Sequence, residues 1–176
     1  MITLEQLLDS RDRRVQHQKQ LLQAYPGCSL ICLTVQLPGP VKRSRESLII
    51  GEAGLAELLN KFGSVLRHVH VRDLETGYEA YLLVPLPAPD VKRACCKIED
   101  THPLGRMMDI DVIPDQSNVI PDVIGGLHPL SRSDIGLPPR RCLLCSNEAR
   151  YCMRARTHST EELLEKIREL VLAYCG

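Results

Sequence analysis

The sequence predicts an α+β fold, a mixed or largely antiparallel sheet flanked by helices. Three observations carry that prediction. Capping boxes followed by apolar residues at helical spacing open both the first and the last segment of the chain. Between them lie four runs of strand length, separated by Pro- and Gly-containing turns. With 176 residues the chain is long enough to bury a core. It is read as one domain, 1–176, carrying a Cys/His-containing segment at about 140–158.

The elements follow in order. Thr3-Leu4-Glu5-Gln6 reads as a capping box, and Leu4, Leu8, Val15 and Leu22, helped by Leu7 and Leu21, mark a buried helical stripe ending near Tyr25-Pro26-Gly27. On that helix Arg11, Arg14 and Gln18 share a side through i, i+3, i+7 spacing and form a polar stripe facing either solvent or an anionic ligand. Residues 30–37 are an apolar run stopped by Pro38-Gly39-Pro40, as expected of a central strand buried on both faces. The turn leads into a basic loop, Val41-Lys42-Arg43-Ser44-Arg45. A helix is predicted over 52–62, a β-hairpin over 65–74 and 78–86, and a short helix over 90–100 containing Cys95 and Cys96 as small buried residues. His68 and His70 are read as half-exposed strand residues. A strand is predicted over 109–113. The irregular, Pro- and Gly-rich 114–141 is expected to be a lid or a partner-docking segment. Ser159-Thr160-Glu161-Glu162 opens the last helix, with Leu163, Ile167, Leu170 and Val171 as its core stripe.

Composition excludes several function classes. Lys plus Arg and Asp plus Glu both number 22, so no global field recruits nucleic acid or an anionic membrane, and any phosphate binding must come from local clusters. No Trp and one Phe leave no aromatic platform for single-stranded nucleic acid. No apolar run approaches the ~20 residues of a membrane span, and the first residues lack a signal-peptide core. A soluble, cytoplasmic protein is expected. There its eight cysteines would be thiols or metal ligands.

Two stretches carry candidate chemistry. In Gly105-Arg106-Met107-Met108-Asp109-Ile110-Asp111, the aspartates stand two apart in a predicted strand, which turns both to one side. Like charges so close are relieved by solvent or by a divalent cation, and Mg²⁺ suits one or two carboxylates completed by water and phosphate oxygens. Gly105 permits close backbone approach, and Arg106 offers a fork for phosphate. An exposed edge strand with solvated aspartates would give the same pattern. The second stretch is Cys142-Leu143-Leu144-Cys145, then Cys152 and His158, among Arg140, Arg141, Arg150, Arg154 and Arg156. It is either a structural Zn²⁺ site of Cys142, Cys145, Cys152 and His158 or a set of free thiols under an Arg-rich loop.

Three blocks in order, Pro38-Gly39-Pro40-Val41-Lys42, Gly105 to Val112, and Arg141 to His158, resemble the apo-citrate lyase phosphoribosyl-dephospho-CoA transferases, the holo-citrate lyase synthases. The resemblance runs over nearly the whole chain and implies a nucleotidyltransferase-type enzyme. Such an enzyme moves the phosphoribosyl-dephospho-CoA part of 2'-(5''-triphosphoribosyl)-3'-dephospho-CoA to a serine of the citrate lyase acyl carrier subunit and releases diphosphate. On that reading Asp109 and Asp111 hold Mg²⁺ and Arg106 clamps a phosphate, while Gly105, Lys42, Arg11 and Arg14 bind substrate. Glu99, Asp115 and Asp134 compete for the place of third carboxylate. The Asp-x-Asp pair is also similar to that of polymerase-β-like nucleotidyltransferases. The chain departs from those enzymes in setting Gly105-Arg106 directly before the pair rather than well upstream. The competing readings are a non-catalytic zinc-knuckle interaction module and a transferase for another carrier, such as that of malonate decarboxylase.

Overall fold

The computed structural model describes residues 3–115 and 127–176. Its sheet has four strands, β1 (Ser29–Val35), β2 (His68–Leu74), β3 (Gly77–Val84) and β4 (Met108–Ile113), in the order β2-β3-β1-β4. Every neighbouring pair is antiparallel, which decides between the two sheet types left open by the sequence. Among the described residues the helices are α1 (Leu4–Ala24), α2 (Arg45–Phe62), α3 (Ala88–Thr101), α4 (Ala149–Ala155) and α5 (Thr160–Cys175).

Strand parity sorts the core into two layers. On one face Ile31 and Leu33 of β1 meet Ala80 and Leu82 of β3 and Ile110 and Val112 of β4, and α2, α3 and α5 add Ile50, Leu58, Val91, Cys95, Ile167 and Val171. On the other face Leu30, Cys32, Tyr81, Leu83 and Ile113 pack under Leu21 and Leu22 of α1. β1 is central and its first five residues are buried, as an apolar run of that length predicts.

Helix starts follow side-chain chemistry. Thr3 with Gln6, Ser44 with Ser47, and Ser159 with Glu162 each form a reciprocal capping box, every cap contributing about 1 kcal/mol. The Ser44 box starts α2 at Arg45, well before the predicted 52, because a serine at the third helical position does the work usually done by Glu or Gln. Gly51 then lets α2 approach β3: a Cβ there would lie 2.4 Å from the Tyr78 ring. α4 was not expected from the sequence at all.

The predicted α1 stripe is corrected in its N-terminal part. Leu4, Leu8 and Val15 are 73%, 50% and 40% exposed, and burial begins at Gln18, Leu21 and Leu22. A helix of 21 residues spans about 31 Å at ~1.5 Å per residue, whereas β1 has seven residues and spans about 23 Å, so the helix overhangs the sheet. Of the predicted 114–141 segment, residues 116–126 lie outside the described residues. The described remainder includes a 3-10 turn, Ser133–Ile135, which packs near α3. No described helix is long and apolar enough to cross a membrane.

Candidate active site

Cross-strand pairing builds the site one row at a time. On the α1 face of the sheet the row Leu83–Leu30–Ile113 is apolar, the next is Tyr81–Cys32–Asp111, and the last is Glu79–Thr34–Asp109. The face therefore turns polar toward the carboxyl end of β1, and both aspartates project on that same side, as residues two apart in a strand must. Both are partly exposed. Burial, and then the charge of Asp109, raises the pKa of Asp111 above the usual carboxylate range.

α1 covers these rows with polar side chains. Gln18 donates from Nε2 to Cys32 Sγ at 3.4 Å, and Arg14 pairs with the buried Glu79 at 2.9 Å, itself also hydrogen-bonded by the Tyr81 hydroxyl. His17 and His70 share a 3.0 Å hydrogen bond between α1 and β2, and Tyr25 and His68 share another at 3.1 Å. The strand histidines are thus structural contacts, half-exposed as predicted.

The outer edge of β4 is held by side chains and one loop N–H rather than by a fifth strand. Ile110, between the aspartates, donates its N–H to Glu99 Oε1 at 2.9 Å and accepts at its carbonyl from Lys92 Nζ at 2.8 Å. Arg140 Nη2 donates to the Met108 carbonyl at 2.6 Å, and the Leu130 N–H to the Val112 carbonyl at 2.8 Å. An open edge that would otherwise invite strand addition is closed. Burial raises the pKa of Glu99, against the charges of Arg140 and Lys92 and the Ile110 hydrogen bond. Arg132 completes the network, reaching Glu99 at 3.1 Å and also pairing with Asp100.

Beside the aspartates opens a cleft of about 850 Å³, lined among others by Asp109, Asp111, Arg106, Arg140, Gln36 and His158. Asp109 accepts from Gln36 Nε2 at 2.7 Å and from Arg140 Nη1 at 3.3 Å. Arg106 is half-buried, and no carboxylate pairs with it among the described ion pairs. Burial and the neighbouring Arg140 guanidinium lower its pKa. A desolvated cation beside like charge is set up to receive an anion. Gly105 is buried against the end of α3, where a Cβ would stand 2.5 Å from the Glu99 carbonyl oxygen. Its first role is therefore to let the Arg106 turn pack there.

The other predicted residues lie elsewhere. Lys42 and Arg11 do not line the cleft. They neighbour each other, and burial followed by the Arg11 charge lowers the Lys42 pKa. Arg14 is taken up by Glu79, though its charge reaches Asp111. Of the contenders for a third carboxylate, Glu99 is committed to β4, and Asp134 accepts the Ser131 N–H at the start of its own turn.

The Cys/His segment forms a second feature of the same cleft. Cys142, Cys145, Cys152 and His158 bring their ligand atoms within 4.8 Å of one another. Cys145 Sγ lies 3.5 Å from Cys152 Sγ and 3.4 Å from His158 Nε2. Tetrahedral zinc, with Zn–S near ~2.3 Å, sets its ligands about 3.4–3.8 Å apart, so the set fits a metal of that kind. Burial opposes ionisation of Cys142, yet backbone hydrogen bonds from Leu144 and Cys145 bring its pKa down to about 7, favouring a thiolate. Backbone bonds Cys142 N–H to Asn147 and Ala149 N–H to Arg140 fold the loop, and a left-handed Arg156 (φ 49) turns the chain after α4 toward His158.

Sequence reasoning missed Arg140, Gln36 and Lys92, and gave Glu99 a different role. A signal was present: Lys92, Cys95, Cys96 and Glu99 follow i, i+3, i+4, i+7, which puts two charges inside the apolar stripe of α3.

Comparison with known proteins completes the description. The family profile described as "Apo-citrate lyase phosphoribosyl-dephospho-CoA transferase" matches residues 2–174. The chain is 40% identical over 179 aligned positions to a Vibrio cholerae protein named probable apo-citrate lyase phosphoribosyl-dephospho-CoA transferase, covering 98% of this chain and 93% of that one. A Streptococcus pyogenes protein of the same name is 36% identical over 174 positions, covering 98% and 87%. An Escherichia coli protein named apo-citrate lyase phosphoribosyl-dephospho-CoA transferase is 36% identical over 173 positions, covering 97% and 88%.

Proposed function

The chain belongs to the apo-citrate lyase phosphoribosyl-dephospho-CoA transferase family, and from that premise we propose how its cleft works. A serine hydroxyl of the citrate lyase acyl carrier subunit attacks the α-phosphorus of 2'-(5''-triphosphoribosyl)-3'-dephospho-CoA. The new P–O bond forms as the bond to the β-phosphate breaks. Diphosphate leaves, and the serine proton passes to a carboxylate of the Asp109–Asp111 pair. The observation that supports this reading is the shared cleft: two carboxylates on one strand face and, in the same lining, an Arg106 without an acidic partner among the described ion pairs.

Asp109 and Asp111 would hold Mg²⁺. When bound, that ion neutralises triphosphate charge and stabilises the departing diphosphate. Gln36 and Arg140 orient Asp109, and Arg106 takes a phosphate oxygen. Gly105 supports the Arg106 turn. Lys42 and Arg11 lie off the cleft lining and supply the remaining positive charge for the long nucleotide, while Arg14 is held by Glu79. We assign Zn²⁺ to the Cys142, Cys145, Cys152 and His158 set as a structural ion, in a cytoplasmic protein.

The reaction is tested with the purified apo carrier subunit, the triphosphoribosyl substrate and Mg²⁺. Intact-mass measurement is expected to show the carrier gaining one phosphoribosyl-dephospho-CoA group. An unchanged carrier mass, with the malonate decarboxylase carrier gaining the group instead, would redirect the assignment. For the metal, elemental analysis is expected to give about one zinc per chain, and Cys145→Ser to remove it and lower the melting temperature. Zinc-free protein whose melting is insensitive to chelator would refute that assignment.

A further inference from the structure

We infer that the outward side of α4 is a docking surface for an acidic protein, the carrier that presents the acceptor serine. This rests on the reaction proposed above. The helix is fixed from within, because Cys152 is its buried residue and belongs to the Cys/His set. Its other sides face solvent with side chains that folding does not use: Tyr151 is 59% exposed and Met153 70%. Around these two stand Arg141, Arg150, Arg154 and Arg156, all exposed and none in an ion pair with the described residues. Arg140 is spent inside, and Glu148 is the one acid between Arg140 and His158. In a chain with equal numbers of acids and bases, four uncompensated guanidinium groups on one short segment are a local field of a single sign.

Position selects the partner. α4 stands between the aspartate cleft, to whose lining Arg141, Arg150, Met153 and Arg156 contribute, and a second groove that shares Glu148 and Arg150 with it and adds Tyr151 and Arg154. That outer groove is lined by Glu148, Arg150, Tyr151, Arg154 and Ala155. A protein delivering a serine hydroxyl to the cleft from this rim lays its surface across α4. Exposed Tyr and Met encircled by Arg match the make-up of protein interfaces, in which apolar and aromatic anchors are desolvated and charge sets the register. The neutral overall charge favours a local acidic patch over a polyanion such as RNA.

The test uses the full zinc-replete chain, the purified apo carrier subunit as probe, and Arg154→Glu and Tyr151→Ala, neither of which lines the cleft. Each substitution is expected to weaken carrier binding about tenfold and to raise the carrier KM alike, with the nucleotide KM and kcat within about twofold of wild type. Raising salt from 50 to 300 mM should weaken the wild-type complex, and the Arg154→Glu complex less steeply. Arg154→Gln, which keeps the size of the side chain, should fall between the two. Carrier binding by Arg154→Glu and Tyr151→Ala equal to wild type would overturn the proposal, as would equal wild-type affinity for a 20-nucleotide RNA or for phosphatidylserine vesicles. Binding is read without turnover. A carrier that binds through Arg154 but gains no mass refutes the reaction and sustains the docking surface, whereas normal mass gain with unaltered binding does the reverse.

Discussion

Asp109→Asn or Asp111→Asn is expected to reduce transfer to the carrier about a thousandfold or more, while the Asp111→Asn protein melts at or above the wild-type temperature. The first half follows from what the pair is proposed to do: with one carboxylate gone, the polyphosphate loses its metal anchor and the serine its proton acceptor, each an effect of several kcal/mol on a barrier. The second half follows from electrostatics. The pair is held on one face by register with Thr34 and Cys32, so its mutual repulsion is built into the fold, and burial adds to it at Asp111. In chelator the sign is fixed. The folded pKa of Asp111 lies above its ordinary 3.8, so its contribution is fully present below that value and is lost as pH rises through the folded pKa. Asp111→Asn removes this loss, so wild type should fall behind the variant over that window, and added Mg²⁺ should restore wild type alone. Calorimetric melts across pH together with carrier mass measurements check both halves. Transfer near the wild-type rate by both variants would remove the pair from the chemistry.

Why the aspartates could be found in the sequence and their supports could not is a matter of range. Asp-x-Asp followed by Val112 and Ile113 carries its geometry locally: strand period alone puts the carboxylates together. The Cys/His set was legible for a related reason, since soft ligands clustered within one segment limit what the segment can do. The three capping signals were equally local. Only the Ser44 box carries no such signature, for want of Glu or Gln at its third position. By contrast, Arg140 reaches Asp109 from 31 residues away, and Gln36 from 73, across a fold whose strand order no periodicity encodes. The α1 stripe failed for a different reason. Leu4, Leu8 and Val15 keep helical spacing, but periodicity reports which side of a helix is apolar and not how far the sheet beneath it extends.

Glu99→Ala should be the most damaging single change to stability, lowering it by about 3–5 kcal/mol, or roughly 10 °C in melting temperature for a chain of this size. Three groups lose their partner at once. The buried Ile110 N–H loses its acceptor, Arg132 keeps only Asp100 and the Pro138 carbonyl, and the buried Lys92 loses a compensating charge. Because Lys92 and Glu99 hold the carbonyl and N–H of the residue between the aspartates, the loss should also loosen the pair and lower transfer in the fraction still folded. Glu99→Gln separates the two effects. Its amide oxygen can still accept from Ile110 while the charge is gone, so the cost should be far smaller. The pH dependence distinguishes the pair further: burial raises the folded pKa of Glu99 above its ordinary 4.5, so the carboxyl contributes fully below that value and less as pH rises through the folded pKa. The stability difference between wild type and Glu99→Gln should therefore shrink with rising pH, measured as denaturant midpoints at matched slope. A difference that grew with pH would mean that Arg132, Arg140 and Lys92 outweigh burial, and a Glu99→Ala loss below about 1 kcal/mol would mean that the other contacts on the β4 edge hold it without Glu99.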